Sequence, residues 1–273
     1  MTAIMNTTLS DKEFSLFQKM IYQQAGISMK PAKKALIVGR LGKRLRHYNL
    51  SSFREYYDLI NSDKYPGEFQ TTIDLLTTNE TYFFREQKHF DLLKKQIIPA
   101  QRKNAQNFRI WSAASSSGQE AYTVAMVLAE TIGLTSLWEV VGTDISQRIV
   151  NQAKTALFPM KETENIARNL LNDYCLKGVR SQQGSFLITD ALRKKVSFHH
   201  KNLMGSCADM GQFDVIFLRN VMIYFDNETK QELVNKLITQ LKPGGYFIIG
   251  HSETLNQIKT DIKMMSPSVY RKE

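Results

Sequence analysis

Residues 213–225 read FDVIFLRNVMIYF, and the character of this stretch changes in its middle. Asp214 to Leu218 include β-branched and aromatic residues without helical spacing, which predicts a strand. Arg219 and Asn220 follow where that strand should end. Polar side chains behind a buried strand cost free energy unless they are hydrogen-bonded, so the two are expected to face a binding site. On these residues alone, a simpler interpretation puts Arg219 on the surface and lets Asn220 cap the loop.

The sequence around this strand alternates between apolar strand-like runs and helical stretches. FRIWSAA (Phe108 to Ala114) and VVGTDIS (Val140 to Ser146) each precede a helical stretch, and KPGG is expected to turn the chain into a last strand, YFIIGH. This alternation predicts an α/β fold with a parallel sheet covered by helices on both faces. Ligands bind beyond the carboxyl ends of such strands. The site is therefore expected at residues 112–118, 143–144, 219–220 and 251–253.

Two acidic residues in this region suggest which ligand is bound. Asp144 ends the second strand, where a carboxylate can accept both ribose hydroxyls, and Ser146 is better placed to cap the next helix. The loop SAASSSG lacks the dinucleotide GxGxxG pattern, and a carboxylate at residue 144 disfavours a 2′-phosphate. A nucleoside without phosphates, such as S-adenosylmethionine, fits these features. Glu120 fits the same ligand, and fits equally well as a charge favourable to a helix N-terminus.

The N-terminal segment is predicted to be an all-α domain over residues 1–75, with a linker at about 64–76. Ser10 and Glu13 predict a capping box, and Pro31 predicts the start of the next helix. Net charge is +10, and nine Lys or Arg residues but no acid lie between Glu13 and Glu55. This excess predicts a basic face that docks an acidic partner, formed by Lys33, Arg40, Arg44 and His47. An ordinary solvated face is the alternative.

Other compositional features argue against several classes of protein. No apolar run approaches the length of a membrane span, and the N-terminus lacks a signal-peptide pattern. Two cysteines do not suggest a disulfide framework or a zinc site, so a reducing cytoplasm is expected. No metal site is expected either. His199 and His200 are adjacent in a strand and point to opposite faces, whereas His89 and His251 are expected to be structural or to line a pocket.

A set of motifs, in order along the chain, resembles the CheR-type chemoreceptor glutamate methyltransferases. LRNVMIYF, after the fourth strand, is the most discriminating of them. Ala121 departs from the family pattern, which often has proline there. The motifs are TTNETYFFRE (Thr77 to Glu86), WSAASSSGQEAYTVA (Trp111 to Ala125), GTDIS (Gly142 to Ser146), LRNVMIYF (Leu218 to Phe225) and LKPGGYFIIGHSE (Leu241 to Glu253).

The resemblance implies methyl transfer from S-adenosylmethionine to glutamate side chains of chemoreceptor cytoplasmic domains. The products would be glutamyl methyl esters and S-adenosylhomocysteine, formed in the cytoplasm at membrane-bound receptor arrays. Catalytic roles are implied for Arg85 and Tyr224. Cofactor-binding roles are implied for Asn79, Thr81, Arg85, Glu120, Asp144, Asn202, Leu203, Arg219 and Asn220.

The resemblance also implies a domain organisation. Residues 77–273 would form a Rossmann-like methyltransferase domain with an inserted antiparallel β-subdomain at about 160–197. In some family members this subdomain grips a peptide at the receptor C-terminus. A loop that only packs on the sheet edge is the alternative here.

Two other functions remain to be separated from receptor methylation. A nucleic-acid methyltransferase would share the sheet, Asp144 and a basic surface, but usually has an Asn/Asp-Pro-Pro-aromatic tetrapeptide where this chain has RNVMIYF. A non-catalytic cofactor-binding scaffold is the other alternative. It is disfavoured because all the matched pocket positions are present.

Overall fold

The structure is a computed structural model that describes residues 8–102 and 107–273. The described chain divides into two compact units. The first comprises residues 8–78 together with 224–226, and the second comprises 79–223 and 227–273. No helix among the described residues is both long and apolar enough to cross a membrane.

The first unit is helical, as predicted. The Ser10 side chain accepts from Glu13 N, and the Glu13 carboxylate accepts from Ser10 N, which is the predicted capping box. Ser52 caps the third helix by accepting from Glu55 N at 3.1 Å. Its helices are α1 (Asp11–Ala25), α2 (Lys34–His47), α3 (Phe53–Ile60) and α4 (Glu68–Leu76), with a 3₁₀ turn at Pro31–Lys33 before α2.

A short piece of the RNVMIYF motif belongs to this helical unit. Ser28 N donates to Tyr224 O at 2.8 Å, and Ile27 forms an antiparallel bridge with Phe225. The motif therefore begins in the second unit and ends in the first.

The second unit is built on a seven-stranded sheet. Its strands are β1 (Phe108–Ser112), β2 (Trp138–Asp144), β6 (Val196–His200), β7 (Phe213–Leu218), β8 (Leu241–Ile249), β9 (Ile262–Ser266) and β10 (Val269–Lys272). A separate antiparallel sheet, in the order β3-β5-β4, consists of β3 (Leu157–Pro159), β4 (Cys175–Lys177) and β5 (Ser185–Ile188). The large sheet has the order β6-β2-β1-β7-β8-β10-β9. Its first five strands are parallel, and β10 and β9 are added antiparallel.

Helices connect and cover the parallel strands. They are α5 (Lys88–Leu92), a π-helical turn at Leu93–Ile97, α6 (Ile98–Arg102), α7 (Gln119–Ile132), α8 (Gln147–Thr155), α9 (Arg168–Tyr174), α10 (Asp190–Arg193) and α11 (Asn227–Thr239). All six residues of β7 are buried, as expected for the central strand of a covered parallel sheet. The predicted fold class, an α/β methyltransferase domain with an antiparallel insertion after an all-α segment, is confirmed.

Two details differ from the sequence-based expectation. The small sheet spans residues 157–188, so its first strand precedes the predicted limit of 160, and residues 196–197 belong to β6 of the large sheet. KPGG does not precede the last parallel strand but lies inside β8, where the pairing with β7 shifts between Phe213 and Val215. Pro243 cannot donate to a ladder and Gly244 has φ 75°, so an irregular segment is accommodated within the strand.

Candidate cofactor-binding and active site

The three neighbouring strands β2, β1 and β7 bring their carboxyl ends to one edge of the sheet. Ser112 ends β1, Asp144 ends β2 and Arg219 directly follows β7. Ala113 N donates to Phe217 O, and Ser115 N donates to Thr143 O, both at 2.8 Å. The loop of residues 113–118 is thereby tied to both neighbouring strands.

Arg219 lies at the centre of a buried charge cluster. Its side chain is 2% exposed, and Nη1 donates to Glu120 Oε2 at 2.6 Å. Nη2 donates to Glu86 Oε2 at 3.1 Å and also to the backbone oxygen of Arg85. Ser112 Oγ donates to Glu120 Oε1 at 2.7 Å. Two carboxylates therefore bind the terminal nitrogens of this buried guanidinium, which offsets most of the energetic cost of its position, while Nε has no hydrogen-bond partner among the described residues.

Asn220 continues the same cluster in a left-handed backbone conformation, with φ 57°. Its Nδ2 donates to Glu86 Oε1 at 3.2 Å, and its backbone N donates to Glu253 Oε2 at 2.9 Å. Gly250 N donates to the same Glu253 oxygen at 2.7 Å. A positive φ is uncommon for a residue other than glycine, so these bonds hold the loop in a specific shape.

The two glutamates of this cluster have opposite pKa shifts. Burial raises the pKa of Glu86, but the Arg219 charge and the hydrogen bonds from Asn220, Arg219 and His251 N outweigh it, so the net pKa is lowered. Burial dominates at Glu253 and raises its pKa, despite backbone hydrogen bonds that oppose the shift. The surroundings thus favour the charged form of Glu86 and disfavour the charged form of Glu253.

Asp144 organises the neighbouring loop. Its Oδ2 accepts from Ser116 N and its Oδ1 accepts from Ser146 N, both at 2.9 Å. Ser146 itself caps α8 by accepting from Ile149 N at 3.3 Å, as predicted. Each oxygen of a carboxylate can accept more than one hydrogen bond, which makes this group chemically suited to binding hydroxyl groups.

Several predicted residues connect to the end of β2. Ser116 Oγ donates to Asn79 O at 2.8 Å, which places Asn79 beside the loop held by Asp144. Lys201 N donates to Asp144 O at 2.9 Å, so Asn202 and Leu203 follow directly from this position. Thr81 is half-buried in the segment between Asn79 and Arg85.

The two predicted catalytic residues lie in different units. Arg85 Nη1 donates to Glu80 O at 2.9 Å, and its guanidinium carbon lies 5.7 Å from the Tyr82 ring centroid. Arg85 has no ion pair with an acid among the described residues. Tyr224 belongs with residues 8–78.

The predicted basic face contains two kinds of side chain. Lys33 and His47 are exposed. Arg44, in contrast, donates Nε to Glu68 Oε1 at 2.7 Å and Nη2 to Glu68 Oε2 at 2.5 Å. Arg40 donates to the backbone oxygens of residues 76 and 77 at 2.9 and 2.8 Å. The two arginines are therefore engaged in bonds within their own unit.

Glu86 and Glu253 are structural members of the site that the sequence interpretation did not single out. Both lie in motifs used there, FFRE and HSE. Glu253 falls in the range 251–253 that was expected after the last parallel strand but was given no role, whereas Glu86 does not follow a strand. A buried Arg219 needs a carboxylate partner, and this need was the signal that could have pointed to Glu86.

The side chains at this edge fit S-adenosylmethionine chemically. Asp144 is a carboxylate at a strand end, a position suited to a ribose diol, and Glu120 is a carboxylate near the adjacent strand end, suited to a cationic amino-acid group. The connecting loop consists of Ala, Ser and Gly residues, which lets a ligand approach the backbone. These residues would hold the nucleoside and amino-acid parts of the cofactor.

Comparison with known proteins identifies the family. Residues 79–271 match the family model "CheR methyltransferase, SAM binding domain", and residues 12–77 match "CheR methyltransferase, all-alpha domain". The chain is 36% identical to the chemotaxis protein methyltransferase of Escherichia coli (strain K12) over 264 residues, covering 96% of this chain and 91% of the relative. It is 37% identical to that of Borreliella burgdorferi over 279 residues, covering 98% and 96%. Chemotaxis protein methyltransferase 2 of Pseudomonas aeruginosa is 34% identical over 261 residues, covering 95% and 92%. The resemblance seen in the motifs is confirmed: the chain belongs to the CheR methyltransferase family.

Proposed function

We propose that this S-adenosylmethionine-dependent methyltransferase esterifies glutamate side chains in the cytoplasmic domains of chemoreceptors. The relatives at 34–37% identity are named chemotaxis protein methyltransferases. The main support for a carboxylate acceptor is the environment of Arg85. Its backbone oxygen accepts from Arg219 of the buried charge cluster, and its guanidinium has no acidic partner among the described residues. An arginine in this position can bind an incoming carboxylate.

The chemistry requires positioning more than proton transfer. A glutamate side chain has an ordinary pKa of about 4.3, so it is already an anion near neutral pH and needs no general base. Bound S-adenosylmethionine supplies the methyl group as an electrophile. Arg85 orients the acceptor carboxylate through one oxygen and leaves the other free to attack, because a tight grip on both would reduce nucleophilicity. Tyr224 is proposed to donate one hydrogen bond near the transferring methyl, as the family resemblance implies.

The direct test supplies labelled S-adenosylmethionine with receptor cytoplasmic fragments or with bulk RNA. Receptor methylation predicts base-labile label on protein. Label on RNA would favour the nucleic-acid alternative, and no transfer to either would favour a scaffold.

Arg85→Ala tests the acceptor role within the same assay. We expect kcat to fall about 100-fold or more, since misplacement of a reacting group is costly. Affinity for S-adenosylhomocysteine and the free energy of unfolding should change little by comparison. Arg168→Ala is the matched control, because Arg168 is an exposed arginine on α9. Unchanged turnover in Arg85→Ala would remove Arg85 from the reaction.

The small antiparallel sheet is proposed to bind the receptor's C-terminal peptide by strand addition. β4 pairs only with β5 among the described strands, and the exposed residues Leu176 and Val179 (54% and 68%) lie on or just after it. An open strand edge with nearby apolar side chains suits an extended peptide. Replacing the 178–184 loop should weaken peptide binding without changing methylation of fragments that lack the tail. Equal binding by both proteins would support a loop that only packs locally.

The basic face is proposed to dock an acidic receptor surface, with Lys33 and His47 as its exposed members. The reaction would then take place in the cytoplasm, at membrane-bound receptor arrays. Attraction between exposed charges is screened by salt, so receptor methylation should weaken as ionic strength rises. Lys33→Glu should increase the KM for receptor and leave S-adenosylhomocysteine affinity unchanged. A KM equal to that of the original protein at low salt would exclude Lys33 from docking.

A further inference from the structure

Glu86 of the buried charge cluster around Arg219 lies close to two histidines, His89 and His251. One ligand atom from each lies within 4.8 Å of the other two. Glu86 lies two residues before α5, His89 is the second residue of α5, and His251 follows the end of β8. The His89 and His251 ring centroids are 4.5 Å apart, with the rings at 66°.

The hydrogen bonds of Ser268 fix the tautomer of His89. Ser268 Oγ donates its proton to Pro267 O at 2.6 Å. The same oxygen must therefore accept the 2.7 Å bond from His89, which places the imidazole proton on Nε2. Nδ1 then carries a lone pair. Burial lowers the pKa of His89 to about 3, assisted by the charges of Arg219 and His251, so the ring is neutral near pH 7.

That lone pair points towards another electron-rich atom. Nδ1 lies 3.5 Å from Glu86 Oε2, and the His89 side chain is 3% exposed. Within residues 8–102 and 107–273, His89 Nδ1 has no hydrogen-bond partner. A buried acceptor left unpaired costs free energy, because its hydrogen bonds to water are lost and not replaced. A metal cation would relieve this cost because it accepts lone pairs from both the imidazole and the carboxylate.

The surroundings favour a cation and allow it to enter. Glu86 and Glu120 place two carboxylates against the single guanidinium of Arg219. His251 is exposed, so its ring can move and the site opens to solvent. Neutral imidazole with a carboxylate is a donor set typical of Zn²⁺ and similar ions.

We propose that Glu86, His89 Nδ1 and His251 form a binding site for a divalent transition-metal ion of the Zn²⁺ class. Water would complete a four-coordinate shell. Ligand atoms about 2.1 Å from zinc lie about 3.4 Å apart in a tetrahedral site, so the exposed His251 has to move inward. Ser268 keeps the buried His89 ring oriented, as outer-shell partners of metal-bound histidines do.

Metal binding at this site would oppose cofactor binding. Glu86 Oε2 accepts from Arg219 Nη2 and from His251 N, both at 3.1 Å. A metal bound to that oxygen withdraws the carboxylate from Arg219 and adds positive charge beside it. The predicted opposition rests on the proposed role of Arg219 in cofactor binding. On that basis the metal ion would inhibit methyl transfer.

The binding test uses the full chain, freed of metal with a chelator and then titrated with Co²⁺ or Zn²⁺. We expect one site, seen as visible absorption from tetrahedral Co²⁺ and as heat from Zn²⁺. His251→Ala should weaken Zn²⁺ binding at least about tenfold, and Ser268→Ala about 10- to 100-fold. His199→Ala is the matched control, because His199 is exposed on β6 and should leave the affinity unchanged. Absence of Zn²⁺ binding, or equal affinities in His251→Ala and the original chain, would overturn the site.

The inhibitory coupling has a separate readout. S-adenosylhomocysteine affinity should fall when Zn²⁺ is present, and this fall should disappear in His251→Ala. The variant also controls for chelation of Zn²⁺ by the ligand itself, which would affect both proteins equally. A Zn²⁺-independent affinity in the original chain would overturn the coupling, while the titration above would still decide the site.

Discussion

Arg219 and Glu120 form a buried ion pair in which Nη1 donates to Oε2 at 2.6 Å, joining the end of β7 to the start of α7. Glu120 also accepts from Ser112 at the end of β1, and Arg219 also binds Glu86. One guanidinium therefore fixes two carboxylates relative to the strand ends. This arrangement makes the site's charge geometry depend on a single side chain.

Removing Arg219 should destabilise the second unit. Arg219→Ala leaves Glu86 and Glu120 without their cation, and breaking a buried pair in this way costs about 3–5 kcal/mol. Chemical denaturation would measure the loss. Combining Arg219→Ala with Glu120→Gln should cost less than the sum of the two single variants, by about 0.5–3 kcal/mol for residues in contact. Additive losses would show that the two side chains do not interact.

Asp144→Asn should weaken cofactor binding. An amide in place of the carboxylate presents N–H groups towards backbone donors and loses an acceptor for ribose. We expect S-adenosylhomocysteine affinity to fall at least about tenfold, or 1.4 kcal/mol, in calorimetry. If Asp144 binds the ribose, removing the 2′-hydroxyl from S-adenosylhomocysteine should lower its affinity for the original chain. The same removal should lower the affinity for Asp144→Asn by less. Ser146→Ala is the control, since loss of the α8 cap should cost about 1 kcal/mol of stability without that ligand dependence.

Arg44→Ala should destabilise the helical unit rather than only weaken docking. Glu68 is 4% exposed. Burial raises its pKa, but hydrogen bonds from Arg44, Tyr56 and Tyr48 outweigh burial and lower it. Without Arg44 the buried charge loses its partner, at a cost of about 3–5 kcal/mol. Thermal or denaturant unfolding would show this, whereas Arg46→Ala, on the exposed side of α2, should change stability by less than about 0.5 kcal/mol. Equal effects of the two substitutions would contradict the role of the Glu68 pair.

Replacing His89 should reduce the loss of stability in mild acid. Burial lowers its pKa in the folded state from 6.5 to about 3, so below pH 6.5 the unfolded chain binds a proton that the folded chain does not. Stability therefore falls as pH drops from 6.5 towards 3. Between pH 7.5 and 5.5 this single group accounts for about 1.4 kcal/mol. His89→Gln keeps a donor for Ser268 but cannot titrate. The variant should therefore lose about 1.4 kcal/mol less folding stability than the original chain between pH 7.5 and 5.5. Denaturant titrations at both pH values, with chelator present, would measure it, and identical pH dependences would show that His89 titrates normally.

Local patterns predicted most of the α/β unit because its signals are short-range. β7 carries the apolar run 215–218, and Ser146 caps α8 immediately after β2. In the helical unit, α1 has its capping box within four residues. The strand-end rule also located Asp144 and Arg219, since parallel strands bring their carboxyl ends to one edge.

The partners of these residues were harder to predict because they come from distant parts of the chain. Glu86 reaches Arg219 across 133 positions, and Glu253 reaches Asn220 across 33. The same limitation applies to Arg44, whose charge looked available for docking until its pairing with Glu68, 24 positions away, was seen. Strand β3 has only three residues, too few for alternation to show, and it was not predicted for that reason.

The assignment of residues 224–226 to the helical unit has a practical consequence for protein engineering. A fragment of residues 1–78 alone would lack the segment whose Tyr224 oxygen accepts from Ser28 N and whose Phe225 bridges Ile27. Exchanging this unit between homologues therefore requires two stretches of gene, the one for residues 1–78 and the three codons for residues 224–226. A single crossover near residue 78 would combine the first stretch from one homologue with the second stretch from another.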